Sequence, residues 1–316
     1  MNAPTQSPGI NVPPALRPGT HVHVVAPSGP VEASRLDKGM RSLQRALGDE
    51  HPVELASNLL ESDGYFAGPD DERAEGLHTA FSAPDPGVIL CARGGYGLTR
   101  LLSRLDPARL RRNPKSIVGF SDVTALLSWA WVAASVATIH GPVLTQLSGL
   151  HPGDVAHLFD LLRGEVPPPI VASEGSALHG GTVEGRLIAG NLEVLRSLVG
   201  TRFFPPMRGN ILAIEEINEA PYRIDRALTH LLSSGSLRGV RGVLVGQLSM
   251  CERPKPGVGP SAEEVVLERL GTLGVPVVTG FEFGHDSGRN MALPFGTRVR
   301  LRADDCTLEL LEPVTR

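Results

Sequence analysis

The sequence predicts an α/β protein: an N-terminal, mostly parallel sheet flanked by helices, then a C-terminal mixed α/β domain with a terminal β-hairpin. Three observations predict it. First, from residue 20 short apolar runs alternate with helical segments, in HVHVVAPSGP, GVILCARGG (87–95), SIVGFSD (116–122) and ATIHGPV (137–143). Strands separated by helices imply crossovers that cover both faces of a parallel sheet. Second, residues 164–182, GEVPPPIVASEGSALHGGT, are rich in proline, glycine and serine and hold no sustained apolar period, so they read as an inter-domain linker. Third, TRVRLRADDCTLELLE near the C-terminus alternates around a polar turn, as a hairpin does.

Each element has a local justification. Residues 1–19 lack a basic start and an apolar stretch and read as a disordered tail, not a signal peptide. Residues 20–163 form the first domain. Within it VTALLSWAW (123–131) has helix-like apolar content directly after the strand SIVGF. Residues 183–316 form the second, where VEGRLIAG reads as a strand, NLEVLRSLVG as a helix and NILAIEEI as a strand. In PYRIDRALTHLL, Pro221 is tolerated in the first helical turn, and Ile224, Leu228, Leu231 and Leu232 share a face. GVRGVLVGQLS reads as a buried strand and SAEEVVLERLG as a capped helix.

Composition narrows the function. A chain of 316 residues, 41% hydrophobic, can bury a large core, and its length favours two domains. Thirty basic against 34 acidic residues give a net charge of -4, with no basic stripe interleaved with aromatics, which argues against nucleic acid as a partner. A small molecule or peptide fits better. No apolar run reaches the roughly eighteen residues of a membrane span. Cys91, Cys251 and Cys306 are far apart and belong to no CxxC pair, as expected of buried thiols in a reducing compartment, the cytoplasm. Of ten histidines, His21 and His23 share a strand face, but no HExxH or Cys/His spacing accompanies them, so neither metal nor cofactor is expected.

The candidate chemistry sits where strands end, which is where parallel sheets present ligand sites. Ser121, in VGFSDVTALL, is either a helix cap or a nucleophile raised at a strand end. RGGYG (93–97) matches neither dinucleotide nor P-loop spacing; its paired glycines make either a tight turn or a close backbone approach of the oxyanion-hole kind. Glu215 and Glu216 end an apolar strand, facing opposite sides of it. His285 lies in a glycine-flanked loop, FEFGHDSGRN. Serine, acid and histidine in this order suffice for acyl transfer if they converge. An ordinary esterase is disfavoured, because its GxSxG elbow needs a small residue where Val123 stands.

Taken together, APSGP after the first strand, RGGYG, GFSD, HGPV, RLIAGNLEVL, LAIEEINEAPYRIDR and FGH resemble the LD-carboxypeptidase family from about residue 20 to 312. That family holds serine peptidases and the microcin C immunity hydrolases. The resemblance implies that Ser121 is the nucleophile, His285 the general base and Glu215 the acid orienting it, chosen because the family's Leu-x-x-Glu falls on Leu212 and Glu215. It implies an oxyanion hole from the backbone amides of Gly95 and Asp122. It further implies an active site between the domains, with serine in the first and glutamate and histidine in the second, and a homodimer. The expected reaction is hydrolysis of the L,D amide to the terminal D-alanine of a murein tetrapeptide, in cytoplasmic murein recycling. Arg93, Arg223 and Arg226 are candidates for the terminal carboxylate. Two other functions remain in play, hydrolysis of aminoacyl-nucleotide conjugates and a catalytically silent peptide binder.

Overall fold

A computed structural model describes residues 9–252 and 259–316. Among these residues the strands form two sheets, a six-stranded one and an eight-stranded one. Five of the six strands of the first, β1 (His21–Val25), β2 (Val53–Leu55), β3 (Gly87–Cys91), β4 (Ser116–Gly119) and β5 (Thr138–His140), run parallel in the order β2-β1-β3-β4-β5. Every residue of β3 and β4 is buried, as a sheet covered on both faces requires. Strand order reverses at β1, so the loops after β1, β3 and β4 converge at one carboxyl edge. That edge is where ligands bind in open parallel sheets.

The second sheet begins with β6 (Ile170–Val171), β7 (Ala177–Leu178), β8 (Thr182–Asn191), β9 (Ile211–Ile217), β10 (Gly242–Ser249) and β11 (Val277–Val278). Strands β8 to β11 run parallel and carry the core of this half. After β12 (Leu293–Phe295), the strands β13 (Arg298–Arg302) and β14 (Thr307–Leu310) make the expected terminal hairpin, which joins β8 edge to edge. No helix among the described residues is long and apolar enough to cross a membrane.

Four expectations require correction. The tail expected over 1–19 falls partly on residues 1–8, which lie outside the described residues. Residues 11–16 are packed: Ala15 and Leu16 are buried, and their amides donate to the carbonyls of Arg316 and Leu162. The 164–182 linker contains β6 and β7, which pair with β14 and β11 at opposite edges of the second sheet. Two-residue runs are too short to show a period. β12 leaves the second half and pairs antiparallel with β5 of the first sheet, Leu293 opposite His140, so the linear division at 183 does not separate the sheets. Finally, the helix expected over 123–131 starts as a 3-10 turn at Ser121–Val123, is α-helical over Thr124–Trp129, and closes as a π turn at Ala130–Ala134.

Candidate active site

Ser121 follows β4 with φ of 62°, in the left-handed region that a residue with a Cβ avoids. The turn at Phe120–Ser121 is what tightens the start of the following helix. Ser121 does not cap that helix: the cap position is Phe120, and Ser121 Oγ makes no hydrogen bond among the described residues. Strain of this kind is maintained only when the surroundings determine it. Here they do. A Cβ placed on Gly94 would fall 2.9 Å from the Ser121 Cβ and 3.1 Å from its Oγ, so the RGGYG backbone lies directly against the serine. Beside the serine, the buried Asp122 carboxylate accepts from the Ser28 hydroxyl at 2.8 Å and the Leu98 amide at 3.0 Å. It therefore ties together the loops after β1, β3 and β4. Burial pushes this carboxyl up from its ordinary range, against the pull of those donors.

The Gly95 amide has no acceptor among the described residues, and Gly95 is exposed with φ of 120°. The Asp122 amide lies in the first turn of a helix, where intrahelical acceptors are lacking. Amides without an acceptor are the kind of donor that a developing oxyanion requires.

The other half of the site comes from the second sheet. Glu215, on β9, is fully buried, and its Oε2 lies 2.6 Å from His285 Nδ1. With the carboxylate accepting, Nδ1 carries the hydrogen and Nε2 is free to take a proton. Gly284, at φ 137°, lets the loop approach this closely: a Cβ there would fall 3.3 Å from the Glu215 Cβ and 3.0 Å from Gln247. The loop is pinned further by Asn290 Oδ1 accepting from the Gly284 amide and Gln247 Oε1 accepting from the Asp286 amide. The imidazole of His285 lies 4.6 Å from the ring of Phe120, the residue before Ser121. Thus the serine turn and the Glu215–His285 pair meet across the two sheets. The seam is held where the Asn191 amide, at the end of β8, donates to Thr124 Oγ1 at 3.0 Å.

Glu216 points the other way. Its carboxylate accepts from Asn191 Nδ2 and from the amides of Glu193 and Ile217 at 2.8 to 2.9 Å, and burial pushes it up to about 7. Of the three candidate arginines, Arg93 donates to the Pro30 carbonyl, while Arg223 pairs with Glu219 and Arg226 lies over Tyr222. No group of three or more potential metal ligands occurs among the described residues.

Comparison with known proteins places the chain in a family. Residues 22–141 match the model for the LD-carboxypeptidase N-terminal domain and residues 184–301 that for its C-terminal domain. The chain belongs to the LD-carboxypeptidase family. It is 34% identical over 300 residues to the murein tetrapeptide carboxypeptidase of Pseudomonas aeruginosa, covering 90% of this chain and 93% of that one. It is 35% identical over 299 residues to the Bacillus subtilis protein named "Probable murein peptide carboxypeptidase", covering 93% and 92%. Among solved structures, the muramoyltetrapeptide carboxypeptidase of Oxalobacter formigenes superposes with a TM-score of 0.78 at 28% identity, covering 92% of this chain and 98% of that one. The microcin C7 self immunity protein MccF shares the fold at TM-score 0.84 and 24% identity, with coverage of 97% and 100%.

Two features of this LD-carboxypeptidase site are not apparent from the pattern of its sequence. Tyr96, next to Gly95, is exposed, and its ring centroid lies 5.6 Å from that of Phe66 at a tilt of 35°, so an aromatic pair stands near Gly95 despite the low aromatic content. The second is His140 of the HGPV motif, fully buried between the rings of Phe120 and Phe283, with neither ring nitrogen hydrogen-bonded. Burial, and then the proximity of His285, pushes it down to about 3. The unfolded chain takes up a proton on this group below about pH 6.5, whereas the folded chain does not until about pH 3. Its contribution is therefore fully present above pH 6.5 and is lost as pH falls, by about 1.4 kcal/mol per pH unit. Urea denaturation at pH 4.5 and 7 is expected to show His140→Phe gaining on the wild type at the lower pH. Parallel pH dependences of the two proteins would refute this.

Proposed function

We propose that the chain is a serine LD-carboxypeptidase that hydrolyses the amide between an L-configured diamino-acid centre and the terminal D-alanine of murein tetrapeptides, in the cytoplasm and as a homodimer. The observation that carries this reading is the 2.6 Å contact of His285 Nδ1 with buried Glu215, beside a serine at positive φ that has no capping role. His285 Nε2 removes the Ser121 proton as Oγ attacks the carbonyl carbon, and the Gly95 and Asp122 amides hold the oxygen that becomes negative. Protonated His285, its charge balanced by Glu215, then gives the proton to the departing amine of D-alanine. Water attacks the acyl-enzyme by the same route, with His285 again as base, and frees the tripeptide and Ser121.

Mass spectrometry of the purified protein with a murein tetrapeptide ending in D-alanine tests this, with a chelator present throughout. Loss of one alanine is expected. An intact tetrapeptide would reject the substrate. The exposed Tyr96 ring beside Gly95 favours a second reading, hydrolysis of an aminoacyl-nucleotide conjugate, since aromatic faces accept bases. The same assay with an aminoacyl sulfamoyl adenosine distinguishes the two.

A further inference from the structure

A cavity of about 400 Å³ opens beside His285, between the turn His285–Gly288 and the helix Ala33–Leu47. The helix contributes Arg35 and Lys38 to its wall, and Thr145 and Gln146 line it between them. Three residues apart, the two basic side chains project from one face of the helix. Both are exposed, and neither makes a side-chain hydrogen bond or ion pair among the described residues. By contrast, Arg93, Arg223 and Arg289 are held by Pro30, Glu219, and Asp154 with Glu282. Arg35 also stands in the first turn of its helix, which carries no acid. A cation there opposes the helix dipole, and the two positive fields add toward whatever enters the cavity. The single carboxylate on the wall, Asp286, leaves an excess of positive charge.

We propose that Arg35 and Lys38 form a carboxylate-binding subsite that positions the substrate against His285. This deepens the reading of the site as a peptidase and rests on it. A peptide at this site offers two carboxylates within reach of the reacting amide: that of the departing D-amino acid, and any on the side chain of the diamino acid on the acyl side. Guanidinium and ammonium groups recognise either through charge-assisted hydrogen bonds. None of the three arginines that the sequence suggested is needed for the task.

Binding, measured apart from turnover, tests the subsite. Wild type and the Arg35→Gln/Lys38→Gln double variant are titrated by ligand-observed NMR with D-alanine against D-alaninamide, and with meso-diaminopimelate against its diamide. Both side chains are exposed, so the variant keeps its core, and its thermal transition verifies this. In at least one pair, the wild type is expected to prefer the carboxylate, and the double substitution to weaken that carboxylate by at least about tenfold while leaving the amide unchanged. Which pair responds identifies the carboxylate. Equal binding of acid and amide, equal binding by both proteins, or failure of both carboxylates to bind the wild type would overturn the subsite. Carboxylate binding of the expected kind without tetrapeptide hydrolysis would instead overturn the reaction and leave the subsite in place.

Discussion

Ser121→Ala is expected to lower kcat/KM on the cleaved substrate by at least about 10³-fold while leaving the denaturation midpoint almost unchanged. The two halves of this result separate the two roles open to this serine. A capping hydroxyl replaced by alanine costs about 0.5–2 kcal/mol of stability. Ser121 Oγ has no such bond to lose, and alanine bears the same positive φ of 62° at the same strain. Ser121→Gly relaxes that strain and is expected to stabilise the fold by about 1 kcal/mol while being equally inactive. Turnover assays and urea denaturation on the three proteins check both halves. Retained turnover, or a stability loss of cap size, would sink the nucleophile.

Much of this site could be read in the sequence because each of its parts is a local event at a strand end. SIVGF followed by SD, the paired glycines of RGGYG and the glycine-flanked His285 all declare a sharp turn beside a reactive or close-approaching group. Val123 departs from the elbow pattern, being bulky where GxSxG demands a small residue, which is why an ordinary esterase is disfavoured. The structure shows how its bulk is housed, since a Cβ on Gly119 would fall 2.7 Å from Val123 Cγ1. One glycine absorbs what the other position lacks. The features that escaped are those made by distant segments. β12 crosses to the first sheet because Leu293–Phe295 meets β5, and no local pattern names a partner so remote. Arg35 and Lys38 carry no local signal of a site, because the loop around His285 that lines the same cavity comes from a remote segment.

The choice between Glu215 and Glu216 shows the same limit, since strand alternation places them on opposite faces without saying which face meets the histidine. The structure answers through the seam between the sheets. Asn191 ends β8 in register with Glu215, donates its amide to Thr124 on the serine helix, and binds Glu216 through its side chain. Glu216 thus braces the seam from behind, while Glu215 faces His285 within the second half, beside the seam.

Their amides should therefore behave differently. Glu215→Gln preserves shape but replaces the charged acceptor of a 2.6 Å contact with a neutral amide, which neither balances an imidazolium nor enforces the tautomer with hydrogen on Nδ1. A fall in kcat of about 10³- to 10⁴-fold is expected, by analogy with loss of the orienting acid in other triads. Glu216→Gln is expected to keep kcat within about tenfold, because that carboxylate touches neither His285 nor the serine. Its cost falls on stability instead. Three N–H groups converge on the Glu216 oxygens, and an amide nitrogen put in place of one oxygen leaves a buried donor facing a donor, a loss of about 1–3 kcal/mol. Parallel kinetics and denaturation of the two variants decide the assignment. If Glu216→Gln were the inactive protein and Glu215→Gln the merely unstable one, the orienting acid would have to be reassigned. The 2.6 Å contact would then be a structural bond.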